Sequence, residues 1–216
     1  MPTSRSYGDA CGTARALDVV GERWALLVVR ELLLGPQRFT DLRRALPAAS
    51  SNLVADRLRE LESHGVIRRR KLPPPAGSQV YELTAWGRDL EPILLALGDW
   101  GARGPLPPEP TSLSATSALL NLRSYARPSP EAPPATCLIE LDDRPWTAEI
   151  AAGRVRISPA GPARPDASLR TDPRTLLAML GNPGALEVAI SDGRAETSGD
   201  PQVLHVLLEN SALPTG

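Results

Sequence analysis

The sequence is poor in the residues that build disulfide frameworks and metal sites. Its 216 residues include only two cysteines and two histidines. Cys11 and Cys137 lie in different halves of the chain, and neither His64 nor His205 has a metal-ligand partner nearby in sequence. This scarcity argues against a disulfide framework and against a zinc site, so we expect no metal and no cofactor.

Long apolar runs are also missing. No segment approaches the roughly 20 apolar residues that span a bilayer, and the N-terminal MPTSRSYGDACG lacks the apolar core of a secretory signal. Catalytic patterns such as G-x-S-x-G or a phosphate-binding loop do not occur. We therefore expect a soluble cytoplasmic protein that has no membrane partner and is not an enzyme.

The charges that are present divide the chain into a basic half and an acidic half. Residues 1–104 carry 15 Arg and Lys against 12 Asp and Glu, whereas residues 105–216 carry 9 against 13. The net charge of −1 thus conceals a basic half that suits a polyanion. We predict two domains, 1–104 and 112–216, joined by a semi-rigid proline-rich linker at 105–111.

The first half predicts a series of short helices. Apolar residues recur at three- and four-residue spacings over 13–33, which indicates a helix with one buried face, broken near Gly21. Gly35 and Pro36 end that segment. A short helix follows with Thr40 as its expected cap, and Pro47 ends it.

The next predicted helix runs from Ser50 to Ser63. Ser50 is expected to cap it, and the apolar residues Val54, Leu58 and Leu61 mark its buried side. Two short helices separated by a few residues resemble a helix-turn-helix, whose second helix enters the major groove. The outward positions are then Ser51, Asn52, Ala55, Asp56 and Arg59. An ordinary solvated face is the alternative interpretation of these five residues.

A predicted hairpin follows this helix. Gly65 provides a helix stop, and VIRRRKL and SQVYELT predict two strands joined by a proline-rich tip. The first strand carries four consecutive cations, which either contact phosphate as a wing or only protect a strand edge. The expected DNA-binding residues of the whole half are Arg38, Ser50, Ser51, Asn52, Ala55, Asp56, Arg59, Arg69, Arg70, Lys71 and Ser78.

Residues 85–103 predict one further helix. Pro92 either kinks this helix or marks its true first turn. Its apolar content exceeds what a domain of about 90 residues needs for its own core, which favours a dimer interface, with simple core packing as the alternative. The residues expected to be buried are Leu90, Ile93, Leu94, Leu97 and Trp100.

Several blocks in order resemble the HxlR family of bacterial winged-helix regulators, relatives of the MarR family. The matching blocks between Cys11 and Arg103 are CGTARALDVVGERW, RELLLGPQRFTDLRRALP, SSNLVADRLRELESHGVIRR and VYELTAWGRDLEPILLALGDWG. The resemblance implies a homodimer that binds an inverted repeat in double-stranded DNA and represses nearby genes, with the helix from Ser50 to Ser63 as its reader.

The resemblance also draws attention to Cys11 and to two departures from the family pattern. Family members often carry a cysteine near the N-terminus, and some use it to sense oxidants, so Cys11 is the candidate redox residue. Gly12 stands where the family usually has proline after this cysteine, and Ser51 stands where relatives commonly have proline at the first helical position. These departures weaken the redox assignment and loosen the helix start slightly.

The second half predicts a helix near 112–125, three strands in a meander, a fourth strand at DASLRT, two helices, a strand at GRAETSG and a final helix. Asp172 and Asp200 are expected helix caps, and Pro173 the first helical residue. This order resembles the sterol carrier protein fold, which implies an α+β domain enclosing an apolar ligand. The candidate ligand-pocket residues are Leu138, Trp146, Leu176, Met179 and Leu180, and filling of an ordinary core is the alternative.

Taken as a whole, the sequence predicts an α+β protein with an N-terminal winged helix-turn-helix domain and a C-terminal sterol-carrier-like domain. The leading hypothesis is a dimeric transcriptional regulator whose C-terminal domain senses a small apolar molecule. Two alternatives are a carrier whose helix-turn-helix is vestigial, and a regulator switched by the thiol of Cys11.

Overall fold

The structure is a computed structural model, and it describes residues 6–73, 77–105 and 112–208. The chain divides into two compact units, Met1–Gly98 and Asp99–Gly216. Most of the predicted linker, residues 106–111, lies outside the described residues, as does the tip of the predicted hairpin at 74–76. The two-domain boundary after residue 104 therefore stays a prediction.

The first unit contains short helices and a two-stranded hairpin. Its helices are α1 (Gly12–Val20), α2 (Ala25–Leu32), α3 (Phe39–Ala45), α4 (Ser51–Ser63), α5 (Ala85–Arg88) and α6 (Glu91–Ala102), the last of which continues past Gly98. The strands β1 (Ile67–Lys71) and β2 (Gln79–Leu83) pair antiparallel. This mixed arrangement is a winged helix-turn-helix, as the sequence predicts.

Local sequence signals account for most of the helix ends. The predicted break near Gly21 is confirmed, since α1 ends before it and α2 begins at Ala25. Gly65 has a φ of +75°, the left-handed conformation that a glycine adopts without strain after a helix. The prediction that Thr40 caps α3 is wrong. The N-cap is Arg38, whose backbone N–H donates to Asp41, so Thr40 lies inside the first turn.

One apolar core holds α4 in place. The predicted stripe of Val54, Leu58 and Leu61 is buried, and it packs in the same cluster as Val28 and Leu32 of α2 and Leu42 of α3. Burial of large aliphatic side chains contributes about 1.5–3 kcal/mol each to folding. The opposite side of α4 is thereby fixed toward solvent.

The C-terminal helical segment of the winged-helix region departs from its prediction. It forms two helices, and Pro92 lies in the first turn of α6, where a missing N–H is tolerated. Leu90 and Leu94 pack partly against the core. The predicted burial of the other three apolar residues is wrong, because Ile93, Leu97 and Trp100 are 57%, 45% and 68% exposed. They lie at i, i+4 and i+7, so they form one apolar stripe on α6.

The second unit is an α+β domain, and its predicted elements are confirmed in order. Its helices are α7 (Ala115–Tyr125), α8 (Pro173–Met179), α9 (Ala185–Ser191) and α10 (Pro201–Leu208). Its strands are β3 (Ala135–Leu141), β4 (Arg144–Ala151), β5 (Arg154–Pro159), β6 (Ala167–Thr171) and β7 (Ala195–Gly199). They form a sheet in the order β5-β4-β3-β6-β7, in which β3 and β6 are parallel and the other pairs antiparallel.

One face of this sheet carries the core of the second unit. Cys137, Ile139 and Leu141 alternate with less buried residues along β3, as expected for a strand with one covered face. Asp172 caps α8 by accepting from the backbone N–H groups of Arg174 and Thr175, which confirms the predicted cap. Within the described ranges, every helix of the chain falls short of the length and apolarity that a bilayer crossing requires.

Candidate nucleic-acid interface

The exposed side of α4 begins with two serines that have different partners. The Ser50 hydroxyl accepts from the backbone N–H of Leu53 at 3.2 Å, so this side chain closes the helix start as predicted. The Ser51 hydroxyl instead accepts from Nε of Arg43 at 3.0 Å. The same guanidinium donates to the carbonyl oxygens of Leu46 (3.2 Å) and Ala49. Arg43 therefore ties α3, the turn and the first residue of α4 together.

The remaining outward residues of α4 form a short polar row. Asn52 is exposed, and its side chain has no hydrogen-bond partner among the described residues. Ala55 is half-buried. Asp56 accepts from the Arg59 guanidinium, so these two outward residues form an ion pair within α4. The row thus offers one unpaired amide close to the helix start and a partly neutralised cation one turn later.

The cations of the predicted wing point to two different faces of the hairpin. In the antiparallel register Arg68 lies opposite Glu82, Arg69 opposite Tyr81 and Arg70 opposite Val80. Because side chains alternate along a strand, Arg68 and Arg70 share one face, and Arg69 shares the other with Lys71. The predicted group of Arg69, Arg70 and Lys71 is therefore divided between two faces.

Carboxylates already engage the three arginines. Glu82 bridges two of them, with Oε1 at 2.7 Å from Nε of Arg68 and Oε2 at 3.0 Å from Nε of Arg70. Burial opposes ionisation of Glu82, but the hydrogen bonds from Arg68 and Arg70 outweigh it and hold its pKa below the usual value. Arg69 pairs with Glu62 of α4 and lies over the Tyr81 ring.

The other predicted contact residues lie at the margins of this surface. Lys71 is exposed and forms no ion pair within the described ranges. Arg38 is exposed at the start of α3. Ser78 is half-buried, and its carbonyl oxygen accepts from the backbone N–H of Leu72 at 2.8 Å, which closes the described part of the hairpin.

Sequence reasoning missed Arg43, Glu62 and Glu82. Each acts on a residue that the sequence did single out, namely Ser51, Arg69 and Arg70. The hairpin register would have revealed Glu82, because pairing VIRRRKL with SQVYELT places it opposite Arg68. The Arg43 contact depends on the shape of the turn between α3 and α4, for which the sequence carries no local signal.

The two cysteines lie in opposite environments. Cys11 is exposed at the N-cap of α1, where its Sγ accepts from the backbone N–H of Ala14 at 3.4 Å. Hydrogen bonds from the backbone of Ala14 and Thr13 stabilise the thiolate and lower the pKa of Cys11. Cys137 is buried in β3, and its burial raises its pKa to about 12. Only the N-terminal thiol is both accessible and acidified.

The candidate pocket residues of the second unit do not face one space. Trp146, Leu176, Met179 and Leu180 are buried, whereas Leu138 lies on the opposite face of the sheet, because it alternates with buried Cys137 and Ile139. Leu138 instead lines an open depression of about 290 Å³ together with polar residues of β6 and β7. The indole N–H of Trp146 is buried and has no acceptor among the described residues.

Comparison with known proteins places the similarity in the N-terminal part of the chain. The family described as HxlR-like helix-turn-helix matches residues 19–105. The HTH-type transcriptional regulator sll1512 of Synechocystis is 38% identical over 95 residues, which cover 44% of this chain and 70% of that protein. The HTH-type transcriptional regulator YvaP of Bacillus subtilis is 40% identical over 86 residues, covering 40% and 80%.

A solved structure described as the redox regulator HypR in its oxidised form covers a similar share of the chain. It is 32% identical, with a TM-score of 0.42, and the match spans 45% of this chain and 100% of HypR.

Proposed function

Because the chain belongs to the HxlR-like helix-turn-helix family of transcriptional regulators, we propose that it is a homodimeric repressor that binds an inverted repeat in double-stranded DNA. The observation that carries this proposal is the orientation of α4. Its apolar stripe is fixed in the core, and Ser51, Asn52 and Arg59 point to solvent. In helix-turn-helix proteins the N-terminal residues of this second helix contact base edges in the major groove.

The hairpin supplies the contacts that position the protein. Arg70 and Lys71 lie near the described end of β1, where a wing meets the sugar-phosphate backbone. Contacts of this kind carry no sequence information, but they release counterions and make binding salt-dependent. The base-reading and phosphate-binding functions are thereby assigned to different elements.

The second copy in the proposed dimer is expected to cover the apolar stripe of α6. Ile93, Leu97 and Trp100 are large, exposed and aligned on one side of the helix. Association of two such stripes removes them from water, and a two-fold dimer presents two copies of α4 to successive half-sites of an inverted repeat.

The test of DNA binding is an affinity measurement at several salt concentrations. We expect the logarithm of the association constant to fall linearly with the logarithm of the salt concentration. The double variant Arg70→Gln/Lys71→Gln should weaken binding to all duplexes by the same factor. Asn52→Ala is expected to relax preference at one base position, by about 1–3 kcal/mol for a good base contact. The control Arg154→Gln/Arg156→Gln removes the same charge from β5. Equal loss in this control, or salt-independent binding, contradicts the proposal.

We further propose that the second unit is a sterol-carrier-like sensor of a small apolar molecule bearing a hydrogen-bond acceptor. The support is the buried, unsatisfied N–H of Trp146, since such a group is costly to bury without an acceptor. A ligand would change DNA affinity by its differential affinity for the two states of the dimer. Mass spectrometry of molecules that copurify with the protein, compared with Trp146→Phe, tests this proposal. Ligand binding without any DNA binding would favour a carrier instead.

A second candidate function is a regulator switched by Cys11. The exposed thiol with its lowered pKa favours this function, because the thiolate is the form that oxidants attack. DNA binding of the Cys11→Ser variant should lose its response to peroxide and keep its basal affinity. An unchanged peroxide response in that variant excludes this mechanism.

A further inference from the structure

Arg43 of α3 contacts both the turn that follows its helix and the start of α4. Its guanidinium donates to three acceptors, the carbonyl oxygens of Leu46 and Ala49 and the hydroxyl oxygen of Ser51. The two carbonyls belong to the turn between α3 and α4, and Ser51 is the first residue of α4. A planar guanidinium holds several acceptors in a fixed geometry, so Arg43 fixes both the turn and the direction of the Ser51 side chain.

The contact with Arg43 also decides what the Ser51 hydroxyl can do. A serine hydroxyl has one proton to donate and two lone pairs to accept with. Arg43 occupies a lone pair with a positively charged donor, which directs the hydroxyl proton away from the guanidinium. The hydroxyl makes no other hydrogen bond within the described part of the chain, and Ser51 is exposed. Its proton is therefore presented to solvent on the outward side of α4.

Ser50, one residue earlier, has a different role. Its hydroxyl oxygen accepts from the backbone N–H of Leu53 and completes the helix cap. Replacing Ser51 therefore leaves the cap intact and removes the outward hydroxyl together with the hydrogen bond that it accepts from Arg43. The two adjacent serines can be separated in one experiment.

We propose that Arg43 is a specificity-determining positioning residue, which makes the Ser51 hydroxyl a hydrogen-bond donor to an acceptor atom of the bound DNA. This inference rests on the proposed function of α4. The acceptors that fit are N7 of a purine, O6 of guanine, O4 of thymine, or a phosphate oxygen. The amino groups of adenine and cytosine fit less well, because they require an acceptor on the protein and Arg43 already occupies one of the two lone pairs of the hydroxyl oxygen.

The test uses a duplex selected by the wild-type protein and the variants Ser51→Ala, Arg43→Gln and their combination. Each single variant should weaken binding about three- to tenfold, the range for one net hydrogen bond. Because Arg43 acts through Ser51, the double variant should bind the duplex with an affinity no more than about twofold below that of the single variant with the lower affinity. Ser51→Thr retains a hydroxyl and should recover most of the affinity.

Arg44 provides the matched control. It is the next residue on α3, its side chain is 68% exposed, and the carboxylate of Asp41 lies 4.0 Å away. Arg44→Gln removes the same charge without touching the turn. When Arg44→Gln is combined with Ser51→Ala, the two fold-losses of DNA affinity should multiply. When Arg43→Gln is combined with Ser51→Ala, they should not.

Modified duplexes distinguish the two kinds of acceptor. A 7-deazapurine or methylphosphonate substitution at the contacted position should weaken the wild-type protein and leave Ser51→Ala unaffected. A contact with N7 responds to the 7-deazapurine, a contact with O6 or O4 responds to a base analogue that lacks that oxygen, and a phosphate contact responds to the methylphosphonate. This arm needs no Arg43 variant, so it remains informative if Arg43→Gln does not fold.

Three outcomes overturn the proposal. In the first, Ser51→Ala binds the duplex with the affinity of the wild type. In the second, the fold-losses of affinity from Ser51→Ala and Arg43→Gln multiply in the double variant. In the third, every modified duplex weakens the binding of wild type and of Ser51→Ala by the same factor. A wild-type protein that binds no duplex contradicts the proposed function itself and is recognised before any variant is made.

Discussion

Arg69 of β1 and Glu62 of α4 are joined by an ion pair in which Nη2 and Nε of the guanidinium lie 2.7 and 3.2 Å from Oε2 of the carboxylate. This contact links the hairpin to the helix that presents Ser51 and Asn52. The hairpin arginines are thus held by carboxylates before any DNA is bound, and part of their charge is already balanced.

The first prediction concerns this balance at Glu82. Its carboxylate is shared by Arg68 and Arg70, and its side chain is only 12% exposed. Glu82→Gln frees one positive charge in the hairpin. We expect a several-fold increase in affinity for any duplex and a salt slope steeper by about 0.9, as for one additional phosphate contact. Fluorescence anisotropy at several salt concentrations measures both quantities.

Glu149→Gln is the control for general charge, because Glu149 lies exposed on β4 of the second unit. It should leave affinity and slope unchanged. If Glu82→Gln instead lowers the affinity for DNA, the carboxylate serves mainly to orient Arg68 and Arg70, contrary to this prediction.

The second prediction concerns the apolar stripe of α6. Leu97→Asp places a charge on the exposed stripe, so it should abolish the dimer without unfolding the protein, and DNA affinity should fall by more than tenfold. Sedimentation velocity measures the oligomeric state. Gly98→Asp adds the same charge at the next position, off the stripe, where a Cβ would meet no atom within 4 Å. Loss of the dimer in the Gly98 variant, or its retention in the Leu97 variant, argues against this interface.

The third prediction separates the two thiols. In the native protein, iodoacetamide should modify Cys11 and spare Cys137, and denaturation should expose both. Because hydrogen bonds lower the pKa of Cys11, its alkylation rate should rise with pH at a lower midpoint than that of a free cysteine. Peptide mass spectrometry assigns each modification. Native labelling of Cys137 would show that the second unit opens readily.

The fourth prediction concerns Asp172 at the start of α8. Burial raises the pKa of its carboxyl, but hydrogen bonds from Thr175 and from the backbone of Arg174 outweigh this and lower it. The charged carboxylate therefore stabilises the folded state fully above the ordinary Asp pKa of about 3.9, and this contribution is lost as the pH falls through the lower folded pKa. Asp172→Ala should lower the free energy of unfolding of the second unit by about 1 kcal/mol at pH 7.

Asp172→Asn keeps a capping side chain but removes the group that titrates. The difference in the free energy of unfolding between wild type and this variant should therefore shrink as the pH falls toward 3. Thiol exposure of Cys137 in urea, in a Cys11→Ser background, reports unfolding of the second unit. If the free energies of unfolding of Asp172→Asn and wild type differ by the same amount at every pH, the charge of Asp172 does not have this role.

The elements that the sequence predicted correctly are those with local signals. Ser50 and Asp172 are caps whose side chains bond within their own helix turn, and the alternation of Cys137, Ile139 and Leu141 follows from one covered face. Such signals involve residues a few positions apart, so they survive without knowledge of the fold.

The failures have a different physical origin. Sequence hydrophobicity does not separate a residue buried in its own core from one exposed for a partner, which is why Ile93, Leu97 and Trp100 were expected to be buried. The candidate site was incomplete for another reason. The contacts of Glu82 and Arg43 depend on strand register and on the path of a turn, and both are set by tertiary packing.

The most direct test of the central claim, that α4 reads DNA as part of a symmetric dimer, is selection of duplexes from a random library by the purified full-length protein. The account predicts enrichment of an inverted repeat with half-sites about one helical turn apart, and relaxed preference at one position of each half-site for Asn52→Ala. Selection of no common sequence, or of the same sequence with the same stringency by Asn52→Ala, would contradict it.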